Sequence, residues 1–318
     1  MKNSVYFFAA YILAFIIAIG FIYFKRRHRR KTRFFTVMKV LFAPRVWLSP
    51  SSLLDFKYTL AGILLFPSLF IYTTLSGTWL SARVDAELRE HFGALPAAPH
   101  AHWLFVSIMA LTLYVAYEFA YWLNHYISHK FRFLWEFHKL HHAATTLTPF
   151  TLWRVHVMDT IIFSNMVAAL VGLAQGVIAY ILGQEIAGVA LAGANILVYV
   201  FLGLYGHLQH SQIWIPFTGS LGHVFFSPAH HQIHHSNNPI HFDKNLGNSL
   251  AIFDWAFGTL HMPSHEPERL VYGTDDDAHL RHFVASNLRP FYFSWKHIQS
   301  LLPVQGSRLI RQEPDGSR

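Results

Sequence analysis

The sequence predicts an all-α integral membrane protein with about five transmembrane helices and a cytoplasmic helical cap that holds clustered histidines. Three observations predict it. Charged residues make up only 13% of the 318, while 53% are hydrophobic; a soluble domain carries about 25% charged residues. Five apolar stretches reach or approach the roughly 20 residues that cross a bilayer. The lysines and arginines fall almost entirely on one side of those stretches.

The stretches are residues 5–24, 58–80, 103–123, 160–182 and 186–206. The first reads as an anchor and not as a cleavable signal, because it is long and ends in a basic run, Lys25 to Lys31. That run accounts for much of the net charge of +8 and reads as a membrane-surface element, not a nucleic-acid site. With the N-terminus outside, the outer segments hold Lys2, Arg83 and Arg89, three of the 25 basic residues. The short connection from Gly183 to Gly188 predicts a hairpin of the last two spans. No linker, low-complexity tract or repeat interrupts the chain, so one membrane-embedded unit is expected. It divides into residues 1–102 (first spans and basic segment), 103–262 (histidine-bearing part) and 263–318 (a cytoplasmic or interfacial tail). In the tail, Phe291, Tyr292, Phe293 and Trp295 are expected at the interface.

The chain has no cysteine, which excludes disulfides, thiolate zinc sites, iron–sulfur clusters and thiolate haem. It has 23 histidines. His125 and His129 stand four apart at the end of the third stretch, where helical periodicity puts both on one face. His138, His141 and His142 follow, and His231, His234 and His235 repeat that spacing. Eight imidazoles exceed the needs of one ion, so two metal ions are expected. His156, His207 and His210 are further candidate ligands. Imidazole suits zinc, copper, iron and nickel, and ligand type does not choose among them. Glu118, seven residues before His125, is expected to orient an imidazole; Asp159, Asp243 and Asp254 are further candidates.

These residues resemble the fatty acid hydroxylase and sterol desaturase superfamily of membrane di-iron enzymes. The resemblance spans about residues 105–262. It rests on His125-x-x-x-His129, His138-x-x-His141-His142 and His231-x-x-His234-His235, followed by Asp243-Lys-Asn245-Leu-Gly247 and Asp254-Trp-Ala-Phe-Gly258-Thr259. It implies two iron ions on the eight box histidines, with His210 as the extra histidine between boxes. It also implies O2 as oxidant, and hydroxylation or desaturation of a lipid C–H bond with Glu118 and Asp243 in the catalytic machinery. Tyr126 and Val157 depart from the family pattern beside His125 and His156 without removing a ligand. The sequence has no Gly-x-Gly-x-x-Gly fingerprint, so the electrons are expected from a separate reductase, ferredoxin or cytochrome. The compact chain suits a bacterial inner membrane. The rival readings are a membrane metal-dependent hydrolase, which lacks its His-Glu-x-x-His motif here, and a structural zinc site.

Overall fold

The computed structural model describes residues 2–26, 34–64, 73–96, 102–183, 197, 200–201, 204–274 and 278–301. The long elements are α1 (Lys2–Arg26), α4 (Pro50–Leu64), α5 (Gly77–Phe92), α6 (His102–Lys130), α7 (Arg132–His142), α8 (Val157–Ile181) and α12 (Phe283–Leu301). Shorter helices are α2 (Phe34–Leu41), α3 (Pro44–Trp47), α9 (Gly219–Val224), α10 (Pro228–His234) and α11 (Ile252–Phe257). Among the described residues, β pairing is limited to two isolated bridges, Phe225 with Leu250 and Ser236 with Tyr272. The all-helical expectation holds.

Five spans are not shown. Among the described residues, two helices are long and apolar enough to cross a membrane, Trp103–Lys130 within α6 and Val157–Ile181. α1 contributes a shorter apolar stretch, Tyr11–Phe24. Of the expected second span, residues 58–64 lie in α4, residues 65–72 lie outside the described residues, residues 74–76 are not helical, and α5 starts at Gly77. Where the chain enters α5 its backbone is not helical, and the Asn165 side chain of α8 satisfies it. Asn165 Nδ2 donates to the Thr73 carbonyl at 2.9 Å, and its Oδ1 accepts from the Leu75 amide at 2.9 Å. Most of the expected fifth span and its hairpin turn lie outside the described residues.

α5 packs along α8 with backbones in close contact. A Cβ on Gly172 would lie 2.7 Å from the Gly77 carbonyl oxygen, and one on Gly176 would lie 2.6 Å from that of Ser81. Two glycines four apart thus let two helices approach where no larger residue fits.

A buried ion pair ties the rest together. Arg154 and Asp55 are fully enclosed, at 1% and 0% exposure. Arg154 Nη1 lies 3.4 Å from Asp55 Oδ1, Nε donates to the Leu140 carbonyl at 3.0 Å, and Nη2 donates to the Leu280 carbonyl at 3.3 Å. Thr151 donates to Asp55 at 2.6 Å. Such a pair holds only because its remaining hydrogen bonds are met. It fixes α7, the turn Thr151–Trp153 and the start of the tail against α4. α12 lies over α7, with Phe291 edge-on to Phe137 at 5.2 Å. It turns Ser286, Pro290 and Ser294 inward and leaves Leu288, Phe291, Tyr292 and Trp295 exposed. An apolar face turned outward is what an interfacial helix presents to lipid.

Candidate metal centre

The histidine boxes sit on three helices with different supports. His125 and His129 lie on the last two turns of α6. His138, His141 and His142 lie on the final turns of α7, where Arg154 grips the Leu140 carbonyl. His231 and His234 lie on the seven-residue α10, too short to persist alone, and His235 is its C-cap. α10 is started by Pro228 and by a reciprocal cap: Ser227 Oγ accepts from the His230 amide and His230 Nδ1 accepts from the Ser227 amide. His210 follows the turn Gly206–Leu208, which Gln209 fastens by donating to the Asn248 carbonyl at 2.6 Å.

Folding sorts nine imidazoles into two groups. His125, His129, His138, His142 and His234 form one; His141, His210, His231 and His235 form the other. Within each group the candidate ligand nitrogens all lie within 4.8 Å of one another. Each His-x-x-His-His box is divided in a regular way. Its residues four apart stay together, 138 with 142 and 231 with 235, and the residue between them crosses to the other group. Adjacent helical positions diverge by about 100°; accordingly the His141 and His142 rings lie at 88°.

The Nε2 atoms point inward. In the four-imidazole group, His210 Nε2 lies 2.9 Å from His231 Nε2 and 3.1 Å from both His141 Nε2 and His235 Nε2. In the five-imidazole group, His142 Nε2 lies 3.3 Å from His138 Nε2 and 3.1 Å from His234 Nε2. Burial, reinforced by neighbouring imidazoles, holds His141, His142, His231, His234 and His235 well below the ordinary histidine pKa, and burial brings His210 to about 3. The rings are therefore neutral, with one N–H each. One proton cannot serve three nitrogens at 2.9–3.1 Å from His210 Nε2. A central cation resolves the conflict: metal–imidazole bonds of about 2.1 Å set neighbouring ligand atoms about 3.0–3.4 Å apart. The residues present fit a pair of metal ions.

The outward edges of the five-imidazole group are pinned. His125 Nδ1 donates to the Leu246 carbonyl and His234 Nδ1 to that of Lys244, both at 2.8 Å. His138 Nδ1 donates to Asp159 Oδ2 at 2.9 Å. His129 Nδ1 lies 3.5 Å from Asp243 Oδ1. The bond from His129, and then that from Lys130, holds the Asp243 carboxyl well below the usual range. Such bonds leave Nε2 with its lone pair directed inward. The turn that supplies these partners has left-handed backbone at Asp243 (φ 58°) and Asn245 (φ 56°), a conformation Asp and Asn tolerate. In the four-imidazole group, the Nδ1 atoms of His141, His210, His231 and His235 are buried without a hydrogen-bond partner among the described residues. His141 comes near the Arg154 carbonyl without reaching hydrogen-bond geometry.

Four of the expected residues, Glu118, Asp254, His156 and His207, stand away from the two groups. Glu118 touches no imidazole: it accepts from Asn248 Nδ2 and from the amides of Ser249 and Leu250, at 2.8–3.0 Å. It therefore holds the loop whose Leu246 carbonyl meets His125. Asp254 does the same from the other side, accepting from the amides of Leu246 and Gly247. His156 stands outside both groups because both its nitrogens are used, Nδ1 accepting from the Met158 amide as an N-cap and Nε2 donating to the Asn287 carbonyl. His207 is also outside, its ring stacked on Tyr11 at 4.1 Å. Asp55 and Arg154 were missed as supports of the site. The one available signal was a pair of charges in otherwise apolar surroundings.

Residues 110–259 match the family described as fatty acid hydroxylase. The chain is 29% identical over 225 residues to the ornithine lipid hydroxylase OlsE of Rhizobium tropici, which covers 69% of this chain and 62% of that protein. It is 27% identical to the alkylglycerol monooxygenase of Caenorhabditis elegans, over 49% of this chain and 27% of that protein. The figures for the Homo sapiens alkylglycerol monooxygenase are 26%, 50% and 32%. The matched stretch thus spans less than two thirds of each relative's own length. No solved structure matches the chain at a significant level. All nine clustered histidines fall within the residues that match the fatty acid hydroxylase family.

Proposed function

We propose that this protein is a membrane-bound di-iron oxygenase that hydroxylates a C–H bond of a lipid, using O2 and electrons from a separate donor. The observation that carries the reading is the convergence of nine imidazoles, eight of them buried, in two groups. His125, His129, His138, His142 and His234 would hold one iron, and His141, His210, His231 and His235 the other. When bound, the iron pair supplies the redox chemistry that joins O2 to a C–H bond: with two electrons and two protons, one oxygen atom enters the lipid as C–OH and the other leaves as water.

The chain's own residues do the rest. Burial keeps the imidazoles neutral and water away from them. Leu246, Lys244 and Asp159 fix the rings. Asp243 lies beside His129, has a side chain 39% exposed, and as a lasting carboxylate orients that ring. Glu118 acts at a distance, as a loop support. Iron is favoured over zinc by the match of residues 110–259 to the fatty acid hydroxylase family. Hydroxylation is favoured over desaturation by the relatives' names, hydroxylase and monooxygenase, and those names favour a tailed lipid as substrate. The distribution of lysine and arginine supports a cytoplasmic site.

The test is metal analysis and Mössbauer spectroscopy of the purified full chain loaded with iron-57, followed by incubation with ornithine lipids and alkylglycerols under 18O2. Two coupled irons per chain and one labelled oxygen in the product are expected. A single zinc, or no metal in folded protein, would overturn the reading in favour of a hydrolase or a structural site.

A further inference from the structure

The structure holds an apolar cavity of about 440 Å³ between α1 and the segment 208–214. Tyr11, Ala14 and Ala18 of α1 line one side, and Leu208, Ser211 and Ile213 line the other. Trp47 of α3 and the strip Leu147–Pro149 close it. The polar groups on this wall have partners within the protein. Ser211 donates to the Leu208 carbonyl, Gln212 to the Leu147 carbonyl, Thr148 to Asp55 and Tyr11 to the Pro149 carbonyl. The indole N–H groups of Trp47 and Trp214 donate to the carbonyls of Leu41 and Ser264. A polar guest would find few groups to bond and would lose its own hydration. A hydrocarbon guest loses nothing and gains burial.

The cavity shares a wall with the four-imidazole group. Leu208 and Ser211 line it, and His210, between them, turns the other way into that group. Tyr11 lines it and stacks on His207. The second groove, formed by Thr112, Ala116, Phe119, Leu170, Leu173 and their neighbours on α6 and α8, has no such link.

We infer that this cavity receives the hydrocarbon tail of the lipid, and that Ala14 and Ala18 limit the tail it accepts. The inference rests on the oxygenase reading for its identification of the guest as substrate. Both alanines are nearly fully buried, at 3% and 1% exposure, against Leu208 and Ile213. They lie outside the residues matched by the family, so the limit on tail length belongs to this chain's own N-terminal helix.

The test uses the iron-loaded full chain in lipid nanodiscs and palmitic acid carrying a diazirine on its last carbon. Photolysis and peptide mapping should place the label on residues 11–22, 46–47, 147–149 and 208–214. In Ala18→Phe the labelling of those peptides should fall about tenfold, and the ratio of turnover on long over short tails should fall by a similar factor. Should Ala18→Phe not fold, the wild-type map and an Ala14→Leu variant decide the matter. Label confined to the α6–α8 groove, or cavity label unaffected by the variant in folded protein that keeps its iron, would overturn the tail site and leave the oxygenase reading intact. Cavity labelling in a protein that binds no iron would uphold a lipid site and overturn the oxygenase reading.

Discussion

In the five-imidazole group, the outer nitrogens of His125, His138 and His234 each meet a carbonyl or carboxylate at 2.8–2.9 Å. In the four-imidazole group, the corresponding atoms of His141, His210, His231 and His235 meet no such partner among the described residues. The first set is aimed before any metal arrives, and the second depends on the metal to aim it. Orienting partners of this kind are worth about 10–100-fold in metal affinity. The less constrained group is also the one beside the apolar cavity, where adjustment to a guest has a use.

The strongest way to break this comparison is to remove one ring from each group. His234→Ala and His231→Ala should each lower turnover by more than about a hundredfold and each lose a different metal, seen as loss of a different Mössbauer component. If either variant loses both metals together, the two groups act as one. Next, Asp159→Ala should weaken metal binding in the five-imidazole group by about 10–100-fold and leave the other group unchanged, with partial recovery in Asp159→Asn. Metal titration followed by spectroscopy reads both. A chelator should strip the four-imidazole group first, about tenfold faster; a single-phase release curve would contradict the asymmetry.

Two smaller effects sharpen the boundary of the site. Glu118→Gln should lower unfolding stability by about 1–3 kcal/mol, because three donors of the loop lose a charged acceptor, with metal content retained. His156→Ala should retain both metals and lose about 1 kcal/mol with its N-cap. A missing metal in that variant would return His156 to the ligand set.

The helical spacing made the eight box histidines legible in the sequence, because periodicity alone puts residues three and four apart near one another. It did not show which residue joins which group. That depends on how α7 and α10 face each other, and no local pattern encodes it. His156 and His210 looked alike as lone histidines near the boxes. Only the tertiary fold shows that one caps a helix and the other closes a group. The all-helical class followed from composition. The non-helical stretch 74–76 in the second expected span did not, because Asn165, which bonds to it, stands some 90 residues further along the chain.

The guanidinium of Arg154 is bonded to Asp55, to the Leu140 carbonyl and to the Leu280 carbonyl, one partner in each of the three segments into which the sequence divides. The two carbonyls are backbone groups that any residue supplies, so the exchange that matters is of the segment that holds Asp55 or of the one that holds Arg154. A chimaera lacking Asp55 leaves the buried guanidinium uncompensated, at a cost of about 3–5 kcal/mol. The N-terminal part and the histidine-bearing part are therefore coupled at this one point, where a change in Asp55 needs a matching change in Arg154.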